Sequence, residues 1–98
     1  MFGTKKGAKP ASKMVPKFAA LGDPNRYKIM KLLYRNDDIC VSEVATKIGI
    51  STAGVSQHMR ILEQANLIVK TRKGQKICYS VDESKSENEE IINIVINA

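Results

Sequence analysis

Apolar positions recur at helical spacing along most of the chain and change to a strand pattern only from Leu67. A first helix is expected over about 14–21, with Pro16 acceptable only in its first turn and Gly22 ending it. Asp23-Pro24 is a helix start: the aspartate can cap free amides and proline suits the first helical position. The second helix runs to about Arg35, with Ile29, Leu32 and Leu33 as its apolar stripe. Asn36, Asp37 and Asp38 make a turn, and Ile39, Cys40 and Val41 form no more than a stub strand. Ser42 can cap a short third helix with Val44, Ala45 and Ile48 facing inward, stopped by Gly49. Ser51 can cap a fourth helix that reaches about Ala65, closed by Asn66 in a left-handed turn. Ile68–Arg72 and Lys76–Val81 read as strands joined by a turn at Lys73, Gly74 and Gln75. Ser84 or Ser86, each with a glutamate three residues on, opens a last helix that ends in Ile91, Ile92, Ile94, Val95 and Ile96.

The order is helix, helix, stub strand, short helix, tight turn, helix, basic hairpin, helix. This is mainly α with a small β-hairpin, the plan of a winged helix-turn-helix, and Ile48–Ser51 is as tight a turn as that motif needs. On the fourth helix, Thr52, Ala53, Ser56, Gln57, Arg60 and Gln64 share one arc at 100° per residue. Val55, His58, Met59, Ile61, Leu62 and Ala65 take the other side. A plain solvated face would carry more Glu and Lys. Small and hydrogen-bonding residues can approach base edges, where Gln suits adenine and Arg suits guanine or a phosphate. Lys70, Arg72, Lys73 and Lys76 surround Gly74, and a basic ribbon beside such a helix suits phosphates or a minor groove. The bland alternative is edge charge that prevents strand pairing. The candidate DNA contacts are therefore Thr52, Ala53, Ser56, Gln57, Arg60, Arg72, Lys73 and Lys76.

Charge strengthens this reading. The 98 residues carry a formal net charge of +6, which favours an anionic partner. Only 5% are aromatic and there is no Trp, too little for a stacking platform for single strands. Lys5, Lys6, Lys9, Lys13 and Lys17 make a basic start, either a solvated tail or a DNA-contacting arm. The expected organisation is a flexible basic leader over 1–13 and one DNA-binding and dimerisation domain over 14–98. No apolar run approaches a membrane span and the first residues lack a signal-peptide stretch, so a cytoplasmic protein with reduced Cys40 and Cys78 is expected. No nucleophile–base pair, partnered carboxylate pair or phosphate loop argues for an enzyme or a cofactor.

The stretch from Phe18 through Ala-Ala-Leu-Gly-Asp-Pro-Asn to Arg26 resembles the opening of the arsenic-repressor (ArsR/SmtB) family. Thr52 to Leu62 resembles its recognition helix, Ala65-Asn66-Leu67-Ile68 its exit, and Arg72-Lys73-Gly74 with Tyr79 its wing. The similarity runs over roughly residues 17–96. It implies a homodimer packed through the first and last helices, a palindromic duplex operator, and repression released by a signal. Many relatives bind metal at a Cys-x-Cys pair opening the third helix. Here Cys40 matches the first cysteine, but Ser42 stands at the second, and a soft metal wants two or more thiolates. A second family site needs a histidine on the last helices, and His58 is the sole histidine. No metal is therefore expected, and His58 is expected to hydrogen-bond within the motif or to a phosphate.

In winged helices the stub strand pairs with the returning wing strand, which would set 39–41 beside roughly 77–79. Cys40 and Cys78 would then be close enough for a disulfide and a thiol switch that weakens DNA binding. Two buried apolar thiols are the alternative. The competing function is a winged-helix module that binds a protein partner and does not read DNA.

Overall fold

The computed structural model describes residues 9–97. Lys5, Lys6 and the rest of the expected leader up to residue 8 lie outside the described residues. The elements are α1 (Lys9–Leu21), α2 (Pro24–Arg35), β1 (Ile39–Cys40), α3 (Val41–Ile48), α4 (Thr52–Gln64), β2 (Ile68–Lys73), β3 (Lys76–Val81) and α5 (Ser86–Asn97). This mostly helical chain with one small antiparallel sheet is a winged helix-turn-helix.

Two helix starts differ from expectation. α1 begins at Lys9 rather than near residue 14, so Pro16 lies inside it and the expected leader overlaps its first turn. Pro16 removes one backbone donor from the ladder. α3 begins at Val41, with Cys40 rather than Ser42 at the cap. The Glu43 carboxylate accepts from the Cys40 amide at 3.1 Å, the return half of a capping box with Cys40 at the cap.

Other boundaries follow the local chemistry. The Asp23 carboxylate accepts from the amides of Asn25 at 2.8 Å and Arg26 at 3.1 Å, and these bonds hold its carboxyl below the ordinary aspartate range. Ser51 Oγ accepts from the Gly54 amide at 3.0 Å and starts α4. Gly49 closes α3 at φ 83°, and Asn66 follows α4 at φ 62°. Both are left-handed positions that let the chain reverse within a few residues.

The core lies between the helices and one sheet face. Ile29, Met30 and Leu33 of α2, Val44 of α3, and Val55, Met59 and Leu62 of α4 are fully or almost fully buried. Leu67, Ile68, Ile91, Ile92 and Val95 extend it to the wing base and α5. Each such side chain contributes about 1.5–3 kcal/mol on burial. The sheet order is β1-β3-β2, all antiparallel. β1 pairs with β3 as expected, with Ile39 opposite Tyr79 and Cys40 opposite Cys78.

Buried polar groups lock α1 and α5 to the end of α4. Lys17, expected in a basic start, is only 3% exposed. Its ammonium donates to Asn88 Oδ1 at 2.8 Å and to the Asn66 carbonyl at 3.2 Å. Asn88 is fully buried and donates through Nδ2 to the carbonyls of Asn66 at 2.9 Å and Asp82 at 2.8 Å. Burial pushes the Lys17 pKa down, so the hydrogen bonds from its ammonium offset a desolvation cost. Asn88→Ala would leave the buried Lys17 ammonium with the Asn66 carbonyl alone and take the side-chain donor from the Asp82 carbonyl, and is expected to cost about 3 kcal/mol, read as a lower urea midpoint. Gly49→Ala meets no atom within 4 Å yet must keep a left-handed backbone. It is expected to cost about 1 kcal/mol, or a fall of about 4–8 °C in Tm.

Candidate nucleic-acid interface

The outer face of α4 follows from what its inner face buries. With Val55, Met59 and Leu62 turned into the core, Thr52, Ala53, Ser56, Gln57, Arg60 and Gln64 all lie exposed. From Thr52 to Arg60 the exposed arc carries no acidic side chain; the half-buried Glu63 enters it only at the end of the helix. Ile61 departs from expectation: it was assigned to the inner side and is 39% exposed, at the border of the arc.

His58 is half-buried, and its Nδ1 lies 3.2 Å from Arg26 Nη1. A guanidinium only donates, so Nδ1 accepts and the ring proton of a neutral imidazole sits on Nε2. Arg26 also donates through Nε to the Ala20 carbonyl at 2.6 Å. One arginine thus joins the end of α1, the start of α2 and the middle of α4. This is the internal hydrogen bond expected for His58.

The wing presents its cations on two faces. Strand alternation puts Lys73 and Lys76, paired across the tip, on the same face as Cys78. Lys70 and Arg72 lie on the opposite face, opposite Tyr79 and Ile77. All four are exposed. Lys73 is not free: its ammonium lies 2.7 Å from the Asp38 carboxylate. The expected DNA contacts therefore do not form one continuous surface. Thr52 and Ser56 of α4 do line one cleft with Gln75, Lys76 and Ile77 of the wing, completed by Cys40, Val41 and Ser42. That cleft measures about 340 Å³.

Cys40, at the edge of the cleft, is joined to Cys78 as a disulfide across β1 and β3, with Cα atoms 3.8 Å apart, in place of the two reduced thiols expected of the sequence. Cys78 is fully buried, whereas Cys40 is half-buried and borders the cleft. The metal chemistry of related chains does not fit here, since the sulfur of Cys40 is bonded to Cys78 and Ser42 occupies the second ligand position. Among the described residues no three His, Cys, Asp or Glu side chains gather in a metal-holding group. No helix among the described residues is long and apolar enough to cross a membrane.

Sequence reasoning overlooked Lys17, Asn88, the Arg26–His58 link and the Asp38–Lys73 pair. Helical spacing held a clue to the first two. Lys17 shares a stripe with Met14, Ala20 and Leu21, and Asn88 shares one with Ile91, Ile92 and Val95. A polar residue in an apolar stripe marks a buried hydrogen-bonding group.

Comparison with known proteins agrees with this geometry. Residues 22–69 match the winged helix-turn-helix DNA-binding family model. The chain is 42% identical over 65 residues to the transcriptional repressor SdpR of Bacillus subtilis, covering 66% of this chain and 71% of that protein. It is 33% identical to a transcriptional repressor SmtB homologue of Synechocystis, over 80% of this chain but 58% of the relative. A homodimeric winged helix-turn-helix DNA-binding domain from Mycobacterium bovis superimposes with a TM-score of 0.77 at 20% identity, covering 97% of this chain and 86% of that one. The first two are transcriptional repressors by name and the third a DNA-binding domain. The chain belongs to the ArsR/SmtB family of winged helix-turn-helix transcriptional regulators.

Proposed function

We propose that this chain is a homodimeric repressor that reads a palindromic duplex operator with α4 and holds the flanking backbone with its wing. The observation that carries the reading is the exposed arc of α4, free of acidic side chains from Thr52 to Arg60, two of whose residues share a cleft with the wing cation Lys76. Gln57 and Arg60 carry the hydrogen-bonding groups suited to base edges. Thr52, Ala53 and Ser56 are small enough to let the helix enter the major groove. Lys76 and Arg72 meet phosphates from the two faces of the wing tip. Lys73 joins them only after leaving Asp38, so it contributes less.

The dimer contact is proposed at α1 and α5. Val15 and Phe18 on α1 are 64% and 54% exposed, and Ile94 on α5 is 60% exposed. The support from α5 is narrower than the sequence suggested, because Ile91, Ile92 and Val95 are buried within the protomer. A two-fold pair would place its two recognition helices on half-sites about one helical turn apart. In the cytoplasm a disulfide is more often a redox sensor than a structural staple. Joining Cys40 to Cys78 ties the start of α3 to the wing, and oxidation is proposed to weaken operator binding.

Fluorescence-anisotropy titrations test the assignment. Arg60→Ala is expected to lose about 1–3 kcal/mol on the operator and relax preference at one base pair. Lys76→Ala is expected to weaken all duplexes alike and lower the salt slope by about one. Unchanged operator affinity in Arg60→Ala would overturn the recognition face. Phe18→Glu is expected to shift the protein from dimer to monomer by sedimentation and to weaken operator binding with it. A dimer untouched by that change would move the contact away from α1.

A further inference from the structure

The cleft between the recognition helix and the wing has a second property: it gives solvent a route to one sulfur of the cysteine pair. Cys40 borders it, while Cys78 is fully buried on the central strand. Lys76 stands in the same cleft, and no carboxylate lines it. We propose that this cleft is a thiol–disulfide exchange site, entered at Cys40 by an anionic low-molecular-weight disulfide, and that operator DNA closes it. The second half rests on the DNA-binding reading above, because DNA on Thr52, Ser56 and Lys76 would lie across the cleft mouth.

The chemistry balances in two displacements. The Cys40 thiol loses its proton, and the thiolate attacks one sulfur of the small disulfide. The sulfur–sulfur bond of the reagent breaks, and one small thiolate leaves and takes up a proton. The thiolate of Cys78 then attacks the Cys40 sulfur of the mixed disulfide and displaces the second small thiolate, which is protonated in turn. Two protein thiols are oxidised and one small disulfide is reduced to two thiols. Cys78 never meets the reagent, which suits its complete burial. Lys76 raises the local concentration of an anionic reagent without entering the reaction. In this scheme only the DNA-free repressor is oxidised, so the signal acts on the free pool and a bound repressor responds after it dissociates.

The test uses the full chain, reduced, with glutathione disulfide as the anionic reagent and cystamine as a cationic one, followed by mass spectrometry after alkylation. Cys78→Ser is expected to retain one glutathione on Cys40, and Cys40→Ser is expected to retain none over the same time. Capture at Cys78 in Cys40→Ser at a comparable rate would overturn the entry point. Lys76→Gln is expected to slow glutathione disulfide by about threefold, the scale of one exposed charge pair, and to leave cystamine unslowed. Equal effects on both reagents would remove Lys76 from the site. With the wild-type chain, saturating operator duplex is expected to slow oxidation at least tenfold relative to the free protein. Oxidation at an unchanged rate while anisotropy reports bound operator would overturn the closure by DNA. If no duplex binds selectively, the repressor reading fails instead, and the cysteine and Lys76 variants still decide the exchange site.

Discussion

The arrangement of the surface proposed to meet DNA depends on a strand of two residues. Ile39 and Cys40 pair with Tyr79 and Cys78, and this short ladder fixes where the wing stands relative to the helix-turn-helix. Cys40 is the residue just before α3, and α3 leads through the Gly49 turn directly into α4. A shift of one residue in this ladder would set Tyr79 or Ile77 in place of Cys78 opposite Cys40 and exchange the faces of the paired side chains. The Cys40–Cys78 bond and the Asp38–Lys73 ion pair fasten the same segment to the wing. The wing also packs directly on the helices, β3 against α2 and α3 and β2 against α4, and the disulfide and the ion pair add two polar ties to that packing.

A separate polar lock connects the opposite end of α4 to the helices proposed to form the dimer. Lys17 of α1 and Asn88 of α5 converge on the carbonyl of Asn66, just beyond the end of α4. Fully apolar packing at this point would leave that carbonyl and that of Asp82 unpaired. The consequence is geometric: α1 and α5 cannot move relative to the protomer without disturbing the anchor of α4. The spacing of two recognition helices in a dimer would be set through this lock.

Much of the fold was legible in the sequence because strong local signals agree with the tertiary structure. Asp23-Pro24, Ser51, Gly49 and Asn66 each adopt the cap or turn that their chemistry favours. The alternating segment from Ile68 becomes the wing, and the stub strand finds its partner. The failures have physical causes. α1 extends through Pro16 despite the lost donor, which a local rule cannot anticipate. Ile61 lies at the edge of the arc, where a helical wheel gives no sharp division. Lys17 was grouped with the basic start by its charge, although its position in an apolar stripe placed it inside. The exposed face of α4 was readable from periodicity alone. The cleft shared with Lys76 and the pairing of Lys73 with Asp38 were not, because both depend on how the wing folds back over the chain.

The most direct test of the central claim is anisotropy binding of the reduced protein to the duplex upstream of its own gene. A scrambled duplex of equal length serves as control, and both are followed across a salt series. The account predicts selective binding, two chains per duplex, with affinity falling linearly in log–log against salt. Equal, weak binding to both duplexes would contradict it and favour a winged helix whose basic surface meets a protein partner.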